Sequence, residues 1–398
     1  MFKNIVYSPL ASLVFLILSS SFYMTFITVK LNLINVPESL IGYIHSSFYA
    51  GMFLGPIKCK SLINRVGHIR AYAVFVSITT GTVIMQGLWI NSYWWIILRF
   101  FAGVSLSGCY LVIESWLLAT STKKTKGKIL AIFMICLYSS QSISQFFLEI
   151  IDISSMEPFM LSAVLSTLAI IPACVTYMKP PQVEAEVTIK ISMVKYFTKA
   201  PFGFIGCLVS GLILSSIYSF MPSYALHHNV SVSLFMGIIV AGGFIMQWPI
   251  GKISDILDRT RVITINSILT IFACTLILMY RENTIVLYIV SFFIGGFTFT
   301  IYPISIAHTC DYFSQEDIVN ATGISLFAYG FGSIIGSSMT AFFIELYSSE
   351  VIFHYIALSS LVLVLFGTYR IITVKPIPQE ALNPLSTLPE TINLNVKN

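Results

Sequence analysis

Apolar positions in this chain do not alternate with polar ones at the period of a surface helix or a half-buried strand; they run together. Stretches of about 20 apolar residues recur along the sequence, each closed by a short polar connection, and a stretch of that length crosses the hydrocarbon core of a bilayer as a helix. Twelve spans are predicted, near residues 8–28, 39–59, 71–90, 94–119, 128–148, 157–177, 202–225, 232–252, 262–280, 285–308, 321–346 and 351–373. An even number places both chain ends on one side. The first stretch resembles a secretory leader, but it is longer than the apolar core of a signal peptide and no cleavage site follows it, so it is read as span 1.

Composition agrees with this pattern. Of 398 residues, 56% are hydrophobic and 10% charged, against about 25% charged in a soluble domain. The net charge of +5 is a matter of topology and not a nucleic-acid footprint, because 19 of the 22 Lys and Arg fall in the tails and the even-numbered connections. Basic residues in short loops stay on the cytoplasmic face, so a multi-pass protein of the cytoplasmic membrane with both termini inside is expected. Only Lys30 and Arg281 lie in the opposite connections, and Arg99 lies within span 4. The seven cysteines (59, 109, 136, 174, 207, 274, 310) show no metal-ligand spacing and are read as small core residues.

The longest interruption, residues 178–201, contains Pro180, Pro181 and four lysines. It divides a six-span bundle (1–177) from a second (202–373), which is followed by a polar tail (374–398) expected to be disordered. The halves echo each other. Ala50, Gly51, Met52, Phe53 returns as Ala241, Gly242, Gly243, Phe244, and the same offset of 191 carries His68 to Arg259, Arg70 to Arg261 and Tyr138 to Tyr329. Arg99, Phe100, Phe101, Ala102, Gly103 returns as Ser291, Phe292, Phe293, Ile294, Gly295, with the aromatic pair and the glycine kept and the arginine gone. The pattern implies an all-α membrane protein of twelve transmembrane helices in two parallel six-helix repeats.

Residues 251–261, with Gly251, Asp255, Asp258, Arg259 and Arg261, resemble the signature loop of the major facilitator transporters. The first-half counterpart keeps Arg65, Gly67 and Arg70 but has Lys60 and Asn64 where that family has glycine and aspartate. Arg99 with Gly103 resembles the span 4 motif of proton-coupled members. Glu114, Ser115, Trp116, then Lys126, Gly127, Lys128 and Gln145, is similar to the YcaD-like branch. The resemblance implies the major facilitator fold, with a central chamber lined mainly by spans 1, 4, 7 and 10. It also implies alternating access between two bundles.

Four expectations follow. Two clusters of charge, Arg65, Arg70, Glu114, Lys126 and Lys128 in one half and Asp255, Asp258, Arg259, Arg261 and Asp311 in the other, act as a latch on the basic face; the competing reading is charge that only sets topology. Arg99, close to the anchors Trp94 and Trp95, either snorkels to the interface or attracts an anionic substrate group or perturbs a neighbouring acid; a charge in the bilayer core costs about 2.5–3.5 kcal/mol on the insertion scale. The chamber is neutral and aromatic, offering Tyr138, Gln141, Gln145, Tyr218, Gln247, Trp248 and Tyr302. Proton carriers come from Glu114, Asp311, His308 and His45, while Glu149 and Glu345, at the outer ends of their helices, are solvated.

The expected function is secondary active transport of a small organic solute, proton-coupled, with export slightly favoured. Uptake of an anionic nutrient is the rival, and a non-transporting membrane receptor is the second class. No phosphate-cradling loop, clustered nucleophile and base, or metal set is found, so no cofactor and no enzymatic activity are expected. The partners expected are the solute, protons and the lipid bilayer, with no nucleic acid, and the protein is expected to be a monomer.

Overall fold

A computed structural model describes residues 2–119, 125–175, 193–313 and 317–373; the predicted tail and most of the predicted linker fall outside them. All twelve spans are present as helices: Phe2–Leu33, Glu38–Val66, His68–Leu88, Ser92–Ala119, Lys126–Ser144 continued by Phe147–Ile150, and Glu157–Leu168 continued by Ile170–Val175, then Pro201–His227, Val232–Ile256, Arg259–Met279, Thr284–Asp311, Ile318–Leu346 and Val351–Thr373. They are numbered spans 1 to 12. Eleven are apolar and long enough to cross a membrane; span 2, at 29 residues, has the length but more polar residues.

Several helices outrun their apolar stretches. Gly251 and Asp255 therefore lie on the last turns of span 8, and Arg259 and Arg261 on the first turn of span 9. The signature segment is a loop only at Leu257 and Asp258. In the first half Arg65 closes span 2 and Gly67 turns the chain at φ 86° into His68, the first residue of span 3. That left-handed φ favours glycine.

Span 5 breaks at Gln145, and its own side chain supplies the reason. Gln145 Nε2 donates to the Gln141 carbonyl at 3.1 Å, the i−4 partner that its backbone N–H would otherwise use. The backbone N–H turns instead to Ser142 O at 3.3 Å, a side-chain insertion that bends a helix without proline.

The repeat is built on matching glycine contacts. A Cβ on Gly51 would strike the carbonyl of Phe100, and one on Gly103 the carbonyl of Phe48, so spans 2 and 4 cross backbone to backbone. A Cβ on Gly242 would likewise strike the carbonyl of Phe292, the counterpart of Phe100. Small residues at such crossings permit the close packing that joins helices in lipid. Gly51→Val and Gly242→Val are each expected to abolish a monodisperse peak in size-exclusion chromatography. Gly323→Ala, in open space, should elute as wild type.

The chain forms two compact units. Unit 1 holds residues 1–184 with 215–241 and 333–352, that is, the first repeat together with the ends of spans 7, 8 and 11 remote from the basic connections. Its apolar core includes Leu13, Leu16, Tyr72, Val112, Trp116 and Phe133. Unit 2 holds 185–214, 242–332 and 353–398. The end of the predicted linker is a helix there, Met193–Lys199, and the hydroxyl of Tyr196 lies 3.0 Å from Thr309 Oγ1 and 2.7 Å from Ser325 Oγ.

Candidate functional site

Arg99 sits two turns into span 4, after a start capped by Asn91, whose Oδ1 accepts the amides of Tyr93 and Trp94. It is 2% exposed, which removes the snorkelling alternative. The guanidinium lies 4.2 Å from the ring centroid of Phe48 on span 2 and 5.8 Å from that of Tyr23 on span 1. Its Nη2 donates to Met24 Sδ at 2.8 Å, and its Nε has no acceptor. Among the described residues no carboxylate pairs with it. Trp94 is exposed, as an anchor should be, but Trp95 is buried, with its indole N–H on the carbonyls of Gln86 and Trp89. Expecting both tryptophans at the interface was an error, because adjacent residues on a helix point about 100° apart.

Around Arg99 the first repeat gathers buried polar groups. Tyr23 donates to Gln86 Oε1 at 2.9 Å, leaving Gln86 Nε2 without a partner. His45, one turn before Phe48, is wholly buried; its Nε2 is 2.8 Å from Thr28 Oγ1 and its Nδ1 has no partner. Glu114, 15 residues after Arg99, about 22 Å along the helix at 1.5 Å per residue, is exposed.

The second-half charge cluster is brought together within unit 2. Arg259, 1% exposed, places Nε 2.8 Å from Asp311 Oδ2 and Nη2 3.5 Å from Asp255 Oδ1. Asp258 stands apart from this ion pairing and caps span 9, accepting the Thr260 amide at 3.1 Å. Arg261 is exposed. The first half does not match it: Arg65 and Arg70 are exposed and make no ion pair among the described residues, and the side chain of Lys126 lies outside them. Lys128 is exposed. The expected symmetry between the clusters is therefore absent from the ion pairs seen, as the loss of the aspartate position at Asn64 would produce.

The chamber candidates divide. Gln145 is buried, accepting from Thr25 Oγ1 at 2.7 Å and donating to Ser21 Oγ at 2.9 Å, so it ties span 5 to span 1 instead of facing a chamber. Trp248 is 75% exposed on a stripe with Ile245, Ile253 and Ile256, the spacing of an outward apolar face; Lys252 Nζ lies 5.6 Å from its ring. Gln247 is half-buried on the face that carries Gly243 and Ile250. Tyr138, Gln141 and Tyr218 are half-buried in unit 1, and Tyr302 in unit 2 packs against Tyr329 with the rings tilted by 47° and their centroids 4.5 Å apart.

A set of contacts that sequence reasoning missed joins the two repeats inside unit 1, at the end remote from the basic connections. Thr28 Oγ1 donates to Ser219 O at 3.1 Å, and Ser46 Oγ lies 2.7 Å from Ser338 Oγ and donates to Ile334 O at 2.8 Å. Ser223 donates to Glu38 Oε1 at 2.8 Å. Glu345, exposed as expected, also accepts the Ser39 amide that opens span 2, at 2.8 Å, and Glu149 accepts from Ser231 at 3.0 Å. A Cβ on Gly42 would strike Ala341. The available signal was the pair of carboxylates at helix ends, Glu38 and Glu345; the serines gave none, since Ser and Thr serve ordinary helix packing in membranes.

Comparison with known proteins agrees with this architecture. The family model of the Major Facilitator Superfamily matches residues 10–281 and 232–392. The chain belongs to this superfamily. A relative of this superfamily member, the "uncharacterized MFS-type transporter YcaD" of Escherichia fergusonii, is 28% identical over 334 residues, 83% of this chain and 86% of that protein. The crystal structure of the nucleoside transporter NupG is similar in fold, with a TM-score of 0.76 at 16% identity over 94% of this chain and 100% of that one. A bacterial homologue of the human lysosomal transporter Spinster, in an inward-facing and occupied conformation, gives 0.72 at 12% identity over 96% and 98%. At such identities the two structures speak for the fold alone.

Proposed function

We propose that this superfamily transporter exports a small organic solute across the cytoplasmic membrane in exchange for protons, by alternating access, working as a monomer with both termini in the cytoplasm. The observation that carries the reading is the end of unit 1 where spans 7, 8 and 11 meet spans 1, 2 and 5 through hydroxyls, backbone carbonyls and carboxylates. The neutral hydrogen bonds among these contribute about 0.5–1.5 kcal/mol each and those to the carboxylates about 1.5–3 kcal/mol, so the set holds one state firmly and still allows it to open. Glu114 supplies the proton site: it is a carboxylate within span 4, on the surface of its own bundle. The scarcity of other carboxylates among the candidate lining residues favours an amphipathic solute over a cation.

In proteoliposomes with an imposed pH gradient, solute should accumulate against its own gradient. Glu114→Gln should remove the response to pH while exchange of labelled for unlabelled solute continues. Accumulation in everted vesicles marks export. Accumulation in right-side-out vesicles instead would reverse the assigned direction, and binding without flux in either preparation would refute transport.

A further inference from the structure

Arg99 carries a charge that the fold does not need. Its counterpart in the second repeat, Ser291, is equally buried, at 1% exposure, and the crossing beside it forms around Gly242 as the first does around Gly51. In place of a counter-ion the guanidinium has an aromatic face and a thioether. Phe48 covers one side of its plane, and the Nε–Nη2 edge meets only Met24 Sδ, with Nε unpaired. A thioether is a weak acceptor, and that edge is one of those on which a guanidinium holds both oxygens of a carboxylate. Two more buried nitrogens of the same repeat are without partners, Gln86 Nε2 and His45 Nδ1. Gln86 is linked to the cluster through Tyr23, which lies beside both it and the guanidinium. A buried cation with idle donors near it and no anion is an arrangement that water-excluded protein does not sustain cheaply.

We propose that Arg99, assisted by Gln86 and His45, receives the anionic group of the solute, and that the substrates are therefore amphipathic organic anions with one carboxylate or a planar oxyanion of similar size. The carboxylate displaces Met24 from the Nε–Nη2 edge. Phe48, half-buried beside the guanidinium, meets the apolar body. The role as substrate site rests on the transporter reading above; the binding does not.

The test uses the purified full-length protein in detergent, with 1-naphthoate as probe and 1-naphthamide and inorganic phosphate as controls, read by thermal shift and calorimetry. Naphthoate should raise Tm and the amide should not. Arg99→Gln should weaken naphthoate binding by about tenfold or more, and Arg99→Lys should retain part of it. If Arg99→Gln fails to fold, Met24→Glu decides. By placing a carboxylate at the edge where Met24 Sδ lies 2.8 Å from Nη2 it should raise Tm without ligand and abolish the response to naphthoate; a lowered Tm there would overturn the proposal. So would equal binding of naphthoate and its amide, no naphthoate binding at all, or phosphate binding at Arg99 in place of naphthoate. Naphthoate binding that depends on Arg99 but produces no flux would uphold the anion site and defeat the transporter reading. Flux of neutral solutes without naphthoate binding would do the reverse.

Discussion

Asp311→Asn should leave little folded protein in the membrane. Arg259 is 1% exposed and the Asp311 side chain 2%, so the substitution takes the nearer carboxylate from a buried guanidinium and leaves the more distant Asp255, at 3.5 Å and 24% exposed. Removing one member of a buried pair costs about 3–5 kcal/mol, a large share of the roughly 5–15 kcal/mol that holds a typical domain together. Detergent-solubilised protein should show a lowered Tm and an aggregated elution profile. Asp258→Ala is the contrast. It removes one cap from span 9, costing about 1 kcal/mol, and should be nearly silent in both assays although it lies three residues from Asp255. A double variant, Asp311→Asn with Arg259→Met, removes the buried charge and should recover Tm. Transport should stay impaired in it if the pair serves as a latch on the basic face, and should return if the charges only set topology. Wild-type Tm for Asp311→Asn alone would show that the pair carries no structural weight.

What the sequence could and could not disclose follows from the nature of each signal. The repeat was legible because it rests on sterics: Gly51 and Gly242 must stay small where a carbonyl presses on them, and a residue that cannot change survives divergence of the halves. Arg259 with its two aspartates was legible because charges are scarce in lipid and seek each other. The inequality of the two clusters was visible at Asn64, where the first half lacks the acid. Facing was not legible. A span that is apolar nearly all round has little amphipathic period to fix its rotation, so the buried Trp95 could be mistaken for an anchor beside the exposed Trp94. Gln145 was misplaced for a related reason: the cost of burying an amide says that it must have partners, but both a wet chamber and Thr25 with Ser21 can provide them. Least legible were the contacts between Thr28 and Ser219 or Ser46 and Ser338. They join residues about 190 and 290 positions apart, through side chains common in any membrane helix.

Locking those last contacts covalently should stop transport. Ser46 and Ser338 present hydroxyls 2.7 Å apart, and a cysteine at each position brings the two sulfurs close enough for a bond that wants its Cβ atoms about 3.5–4.5 Å apart. The neighbouring contacts, Ser223 to Glu38 and the Ser39 amide to Glu345, each 2.8 Å, hold spans 2, 7 and 11 in register while it forms. Of the native cysteines only Cys174 is exposed, so Cys174→Ser provides a quiet background. Each single cysteine variant should transport close to wild type, because losing one hydroxyl of a neutral pair costs about 1 kcal/mol. The oxidised double variant should show no net flux, and dithiothreitol should restore it, since a hydrogen bond breaks and reforms during a cycle whereas a disulfide does not. Mass spectrometry verifies the bond. If the cross-linked protein moves solute at the wild-type rate, spans 2 and 11 do not part during turnover, and this end of the molecule is a fixed seam instead of a gate.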